Sequence, residues 1–119
     1  NVSKILSENG ARKVIDLNVS GAFHSPLMLP AKKVLEKYIK KIEFKKPSCP
    51  IYQNSVGKGV SNVEEIRKNL VDQLISPVLW TQSISQMIND GIKNFVEVGP
   101  GKVLQGLIKK INPDVNLEF

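Results

Sequence analysis

The fold prediction starts from residues 92–101, which read IKNFVEVGPG. The first seven of these residues form a mostly apolar run typical of a buried strand, and the glycines and proline that follow indicate a tight turn. Apolar residues then recur at helical spacing from Val103 to Ile111, Pro113 ends that pattern, and residues 115–119 are predicted as a last strand. A strand, a helix and a second strand in this order are typical of a parallel α/β arrangement.

The rest of the chain predicts the same alternation of helices and strands. The predicted helices cover about residues 1–9, 30–42, 63–76 and 81–90, and the predicted strands cover residues 11–19 and 51–56. Ser25 and Pro26 fit an N-cap and a first-turn proline, and Ser61-Asn62-Val63-Glu64 fits a capping box. Two helices are predicted to bury an apolar face against a core: one through Ala31, Val34, Leu35, Tyr38, Ile39 and Ile42, the other through Val103, Leu104, Leu107, Ile108 and Ile111.

The composition indicates a globular chain with the size of one domain. It has 119 residues, of which 41% are hydrophobic and 24% charged. We expect no membrane association, because no apolar run approaches the roughly 20 residues that span a bilayer. The single Cys49 cannot form an internal disulfide, which favours a cytoplasmic location. The chain begins with Asn1 rather than Met, which is compatible with the removal of an upstream part.

The formal net charge of +6 comes mainly from lysine, and it favours an acidic partner. We expect no nucleic acid, because aromatic residues are few and no recognised binding motif is present. The sequence GPGK at residues 99–102 does not match a phosphate-binding loop, since Val103 follows the lysine. No His, Cys, Asp and Glu cluster has the spacing of metal ligands, so we expect no metal.

The candidate site centres on His24, the only histidine, in the segment VSGAFHSP at residues 19–26. It lies between a predicted strand and a predicted helix, where a histidine can act as a proton carrier near neutral pH. The sequence has no Gly-x-Ser-x-Gly motif that would present a nucleophilic serine. Ser25 is adjacent to His24, and neighbouring side chains seldom point at one another. Cys49 has no basic context that would activate its thiol. Neither residue is therefore a credible nucleophile. His24 is therefore either a base whose nucleophile lies elsewhere or a loop histidine without chemistry.

Three segments, in order, resemble one enzyme family. GAFHSPLM (residues 21–28), VDQL followed by SPVLW (71–74 and 76–80) and FVEVGPGKVL (95–104) are similar to the C-terminal portion of malonyl-CoA:acyl-carrier-protein transacylases. The resemblance implies the C-terminal part of a hydrolase-like parallel-sheet α/β domain, residues 21–119. It also implies that residues 1–20 are the last helix and strand of an inserted ferredoxin-like subdomain.

The resemblance implies a role for each matched residue. His24 would be the catalytic base, and the backbone carbonyl of Gln73 would accept a hydrogen bond from its ring. Phe23 would fill the space that an α-methyl group needs, which favours malonyl over methylmalonyl substrates. The docking surface for the acidic carrier would be Lys13, Lys109 and Lys110. The equal alternative is that these lysines face solvent and contact no partner. The serine, the arginine for the substrate carboxylate and the oxyanion hole would lie in a missing N-terminal part.

The resemblance further implies that this chain works in fatty-acid synthesis, with malonyl-CoA and acyl carrier protein as partners. A coenzyme A thioester would be the substrate, with no tightly bound cofactor, and the chain alone would be inactive. One alternative is an acyltransferase domain of a polyketide synthase. The other is a non-catalytic basic module that binds an acidic protein or nucleic acid. An upstream Gly-x-Ser-x-Gly motif in the same reading frame would favour an enzyme, and a start codon next to Asn1 would favour the module.

Overall fold

The computed structural model describes residues 2–15 and 19–118, which form helices and two small sheets. The α-helices are α1 (Val2–Glu8), α2 (Leu29–Ile39), α3 (Val63–Asp72), α4 (Trp80–Asn89) and α5 (Val103–Ile111), and a 3₁₀ turn covers Pro26–Met28. The strands are β1 (Ile51–Tyr52), β2 (Gly59–Val60), β3 (Asn94–Val96) and β4 (Asn116–Glu118). The predicted α/β class is therefore confirmed.

The β3–α5–β4 unit has the parallel arrangement that the sequence predicts. Asn94 pairs with Asn116 and Phe95 with Leu117. The Glu97 carboxylate, just after β3, accepts hydrogen bonds from the first free backbone N–H groups of α5, those of Leu104 and Gln105, at 3.2 and 3.1 Å. This contact neutralises the helix N-terminus and fixes the turn between strand and helix.

The strand predicted over residues 51–56 is wrong in length and in pairing. β1 ends at Tyr52 and pairs antiparallel with β2, with Ile51 opposite Val60. The connection between these strands is only six residues long, and a short connection permits only antiparallel pairing. Gly57 (φ 64°) provides the left-handed backbone that this return requires.

The strand predicted over residues 11–19 is absent from its described part, residues 11–15 and Val19; residues 16–18 lie outside the described chain. The stop at Gly10 is confirmed, since Gly10 has φ 91° and the Ala11 N–H bonds back to the Leu6 carbonyl. Alternating apolar residues make a strand only beside another backbone, and no strand among the described residues pairs with this segment.

The core lies where α4 and α5 pack together beside the parallel strands. Its buried centre is Ile84, Ile108 and Val115, surrounded by the half-buried Trp80, Met87, Ile88, Phe95, Ile111 and Leu117. The predicted burial of the whole apolar face of α5 is wrong, because Val103 is 73% exposed and Ile108 alone is buried. Likewise, α2 packs on α3 but buries no residue fully, and Val34 and Tyr38 are exposed.

The chain is more extended than a domain of its length. Its Cα radius of gyration is 17.3 Å, whereas an independent domain of this size has about 13.5 Å. The exposed apolar residues of α1, α2 and α5 follow from this shape, because these helices have too few neighbours to cover their apolar faces. No helix in the described residues combines the length and the apolar character that crossing a bilayer requires.

Candidate active site

His24 lies in a tight turn with a left-handed backbone, at φ 58°. Residues with a Cβ adopt this conformation rarely, and such positions concentrate at functional sites. Ser25, the next residue, holds the turn: its hydroxyl donates to the Ala22 carbonyl at 2.7 Å and accepts from the Leu27 N–H at 3.3 Å. Ser25 is thus the N-cap that the sequence predicts, with Pro26 in the first turn after it.

The imidazole of His24 contacts two backbone carbonyls. Its Nδ1 lies 2.9 Å from the Gln73 oxygen and 3.1 Å from the Ser76 oxygen. A carbonyl oxygen only accepts hydrogen bonds, so Nδ1 must carry the proton. In the neutral ring, Nε2 then keeps its lone pair and can accept a proton from another group. The contact expected between His24 and the Gln73 carbonyl is present, and the Ser76 carbonyl is a second acceptor that sequence reasoning missed.

Both carbonyls come from the chain just after α3. Gln73 caps that helix, and the last carbonyls of a helix have no partner within it. The turn that follows is fixed by Asp72, whose carbonyl accepts from the Ser76 hydroxyl at 2.9 Å and from the Ile75 N–H at 3.1 Å. The helix end therefore offers His24 two oriented dipoles and the negative end of the helix dipole.

At the other end of α3 the predicted capping box is wrong in register, since Asn62 and not Ser61 accepts the Glu65 N–H.

Asp72, at the start of the turn after α3, also carries a charged side chain. Its two carboxylate oxygens contact the Lys32 ammonium at 2.6 Å and the Lys68 ammonium at 2.7 Å. The hydrogen bonds from Lys32 and then Lys68 hold the pKa of the Asp72 carboxyl below its usual range, and Asp72 in turn raises the pKa of Lys68. Sequence reasoning did not single out Asp72, because its partner on α2 is 40 residues away in the chain.

Phe23 precedes His24 in the same turn. Its side chain is 53% exposed, and its ring lies beside Gly21, where an added Cβ would meet it at 3.7 Å. The ring thus lies beside Gly21 and is not enclosed by the described chain. A pocket that contained Phe23 would need further walls.

The three lysines expected to meet a carrier protein are exposed, and one of them is engaged within the chain. The Lys109 ammonium donates to the carbonyls of Pro113 and Val115, at 2.9 and 3.2 Å. These hydrogen bonds link the last turn of α5 to the segment that follows it. Lys110 follows it on the same helix, while Lys13 lies far away in sequence, after α1.

The described residues hold no nucleophile in contact with His24. The Ser25 hydroxyl is engaged with the backbone of its own turn, and the partners found for the ring are carbonyl oxygens. Residues 2–15 and 19–118 also contain no group of three or more His, Cys, Asp or Glu residues that could hold a metal ion. The arrangement can orient a neutral imidazole and expose its Nε2 to a group supplied from outside the described chain.

Comparison with known proteins points to one family. No family model matches the chain. Among curated relatives, the malonyl CoA-acyl carrier protein transacylase of Bacillus subtilis is 41% identical over 110 residues, which are 92% of this chain and 35% of that protein. The same enzyme from Staphylococcus aureus is 45% identical over 108 residues, 91% of this chain and 35% of that protein. The chain therefore spans about a third of the length of these relatives.

Solved structures give the same result at the level of the fold. The malonyl-CoA:acyl carrier protein transacylase of Xanthomonas oryzae superposes with a TM-score of 0.90 at 36% identity, covering 97% of this chain and 37% of that one. The acyl carrier protein S-malonyltransferase of Vibrio cholerae has a TM-score of 0.90 at 35% identity, covering 98% and 38%. In sequence and in fold, this chain is thus recognised as a relative of the malonyl-CoA:acyl-carrier-protein transacylases, matched over about a third of their length.

Proposed function

We propose that this chain supplies the catalytic base of a malonyl transfer from coenzyme A to acyl carrier protein in fatty-acid synthesis. The observation that carries the proposal is the contact of His24 Nδ1 with the Gln73 and Ser76 carbonyls, which leaves Nε2 free to accept a proton. The relatives named above transfer malonyl groups between these two carriers according to their names. The substrate would be a coenzyme A thioester, with no tightly bound cofactor.

The reaction has two half-reactions with a seryl ester between them. The serine oxygen attacks the thioester carbonyl while His24 Nε2 takes the hydroxyl proton, and the imidazolium returns this proton to the departing coenzyme A thiolate. The phosphopantetheine thiol of the carrier then attacks the ester, His24 again takes the proton, and the serine oxygen leaves with it. In each imidazolium state the Nδ1–H stays bonded to the two carbonyls, whose dipoles stabilise the charge in place of a carboxylate.

The nucleophile would come from polypeptide outside this chain. The sequence contains no Gly-x-Ser-x-Gly motif, and His24 is exposed in the described structure. The exposed apolar faces of α2 and α5 would be covered by the same missing N-terminal part. Within the complete protein, residues 1–20 would end a ferredoxin-like subdomain, and residues 21–119 would complete a hydrolase-like parallel sheet. The enzyme would work in the cytoplasm, and this chain alone would be inactive.

Covalent labelling tests this function in the complete protein, by which we mean the product of the reading frame that contains this chain. Incubation with malonyl-CoA is expected to place a malonyl ester on a serine of a Gly-x-Ser-x-Gly motif upstream of Asn1, as located by peptide mass spectrometry. The isolated 119-residue chain is expected to stay unlabelled. A label within residues 1–119, an unlabelled complete protein, or a reading frame that starts at Asn1 would refute the proposal, and the last would favour a non-catalytic basic module.

Phe23 would set the preference for malonyl over methylmalonyl groups. Phe23 is exposed and directly precedes His24 in the same turn, and we propose that its ring reaches the α-carbon of an acyl group held at Nε2. In the complete protein, Phe23→Ser is expected to raise kcat/KM for methylmalonyl-CoA relative to malonyl-CoA by about 10-fold, because one methyl group in an apolar pocket is worth roughly 1–3 kcal/mol. Competition between the two thioesters measures this ratio. An unchanged ratio with active Phe23→Ser protein would contradict the assignment.

A polyketide pathway is the second candidate, and one comparison favours it. A malonyl-transacylase in complex with a type II polyketide acyl-carrier protein superposes with a TM-score of 0.89 at 35% identity, covering 97% of this chain and 37% of that one. The chemistry at His24 would be the same, and the acidic carrier would dock on the surface that includes Lys13, Lys109 and Lys110. Ketosynthase or carrier domains in the same reading frame would identify an acyltransferase domain of a multidomain polyketide synthase; the superposed transacylase and its carrier protein are instead separate proteins.

A further inference from the structure

We infer that Lys32 and Asp72 are positioning residues for His24: their ion pair holds the two carbonyls that orient the imidazole. The inference rests on the function proposed above, because it assigns the pair a role in the acyl transfer. It concerns residues that do not touch a substrate. It follows from where the histidine and its acceptors lie relative to α2 and α3.

The contact between His24 and its acceptors depends on how two helices are placed. His24 lies two residues before the 3₁₀ turn that leads into α2, and Gln73 and Ser76 lie one and four residues after the end of α3. The 2.9 Å contact thus spans 49 residues of sequence. A shift of α2 along α3 by about 1 Å would lengthen the hydrogen bond beyond its normal range.

The Lys32–Asp72 pair is the ionic link between these helices. Lys32 is on the first turns of α2, on the side of His24, and Asp72 is the last residue of α3, next to Gln73. Among the ion pairs of residues 2–15 and 19–118, this pair alone joins α2 to α3. The other polar link, from the Arg67 guanidinium to the Ile42 carbonyl at 3.3 Å, lies beyond the far end of α2.

The pair is shielded more than an ordinary surface ion pair. The side chains of Lys32 and Asp72 are 23% and 28% exposed, whereas Lys40 and Glu36, which pair within α2, are 68% and 43% exposed. Partial burial reduces screening by water and salt, so such a pair can fix geometry that a surface pair would not. An aspartate carboxyl is ionised at neutral pH, and the hydrogen bonds from Lys32 and Lys68 lower the pKa of Asp72 further.

Asp72 transmits this constraint to the acceptors through its own backbone. Its side chain is bonded across to Lys32 on α2, and its carbonyl accepts hydrogen bonds from the Ser76 hydroxyl and the Ile75 N–H. These bonds set the direction of the chain from residue 72 to residue 76. The carbonyls of Gln73 and Ser76 therefore point at Nδ1 only while Asp72 stays in place.

The test compares two lysines that bind the same carboxylate. In the complete protein, Lys32→Met breaks the link between the helices, whereas the control Lys68→Met removes a contact within α3 alone. We expect Lys32→Met to lower kcat for malonyl transfer by about 10- to 100-fold with KM for malonyl-CoA little changed, since displacement of a catalytic group by about 1 Å has this effect. We expect Lys68→Met to have a small effect and Lys32→Arg to restore most of kcat.

The tautomer of His24 provides a readout that a general loss of stability would not change. Nitrogen-15 NMR of the folded protein, with the His24 signal identified by its loss in His24→Ala, is expected to show Nδ1–H in the parent protein. Lys32→Met is expected to shift the ring towards a mixture with Nε2–H. If circular dichroism shows that Lys32→Met does not fold, Asp72→Asn, which keeps the size of the side chain, replaces it with the same expectations.

The outcomes separate this inference from the proposed function. Equal kcat and an unchanged tautomer in the parent protein, Lys32→Met and Lys68→Met would overturn the positioning role and leave the proposed function intact. An Nε2–H tautomer in the parent protein would overturn both the positioning role and the proposed function, because Nε2 could not then accept the serine proton. Full activity in His24→Ala would instead refute the proposed function, whatever the lysine variants do.

Discussion

Replacement of His24 by alanine in the complete protein is expected to lower kcat for malonyl transfer by about 10²- to 10⁴-fold, the usual contribution of a general base. The serine hydroxyl would lose the group that takes its proton, and the leaving thiolate would lose the group that protonates it. Among residues 2–15 and 19–118 the partners of the His24 ring are backbone carbonyls, which cannot take the proton in its place. Steady-state rates with malonyl-CoA and acyl carrier protein measure the loss, and the rate of malonyl-enzyme formation shows that the first half-reaction is affected.

Gln73→Ala is the matched control, since it alters the residue that contacts His24 but keeps the contacting atom. The Nδ1 partner is the backbone oxygen of Gln73, and the side chain takes no part in that bond. We therefore expect kcat to stay close to that of the parent protein. A loss in Gln73→Ala as large as in His24→Ala would contradict the role of the carbonyl. Retention of activity in His24→Ala would contradict acyl transfer by this histidine.

Local sequence predicted those elements whose partners lie close in the chain. β3, α5 and β4 follow one another within 25 residues (94–118), and their apolar periodicity and the glycines of the turn identify them. The turn at Ser25 was predictable for the same reason, because a cap bonds within its own first turn. The Asn62 cap was missed by one residue, since both Ser61 and Asn62 are good caps and the choice depends on the exact start of the helix.

Packing between distant segments could not be predicted in this way. Apolar and polar residues do alternate loosely over residues 11–19, but a strand forms only when another strand pairs with it. The apolar face of α5 is similarly a correct pattern whose burial depends on what lies against it, and Val103 and Leu104 remain exposed. Periodicity states which side of an element can be buried, and tertiary structure decides whether it is.

The same limit applies to the candidate site. His24 stood out because of its residue type, and Gln73 entered only through the resemblance to a family. The second acceptor, the Ser76 carbonyl, and the bridging Asp72 have no signal in local sequence, since a backbone oxygen is present at every position and the ion pair spans 40 residues. Sequence thus singled out the histidine, and the structure was needed to find the carbonyls that contact its ring.

Ile84→Ala is expected to destabilise the fold by about 2–5 kcal/mol, the range for truncating a buried isoleucine. Ile84 is 2% exposed and is the most buried large side chain among the described residues. It packs with Ile108 and Val115 at the junction of α4, α5 and the parallel sheet, so its removal leaves a cavity that three elements would have to close. A fold of this size has a total stability of about 5–15 kcal/mol, so the loss would be a large fraction of it.

Urea unfolding of the 119-residue chain, after circular dichroism has shown that it is folded, measures this change. Trp80 is a suitable probe because the only tryptophan of the chain packs against the same core. Ile5→Ala is the matched control: it makes the same substitution in a helix, α1, at a side chain that is 56% exposed. The change in helix propensity is the same in both variants, so their difference isolates burial. We expect Ile5→Ala to stay within about 0.5 kcal/mol of the parent chain. Equal midpoints for the two variants would show that Ile84 is not the centre of a packed core, and that α4 and α5 are held together by other contacts.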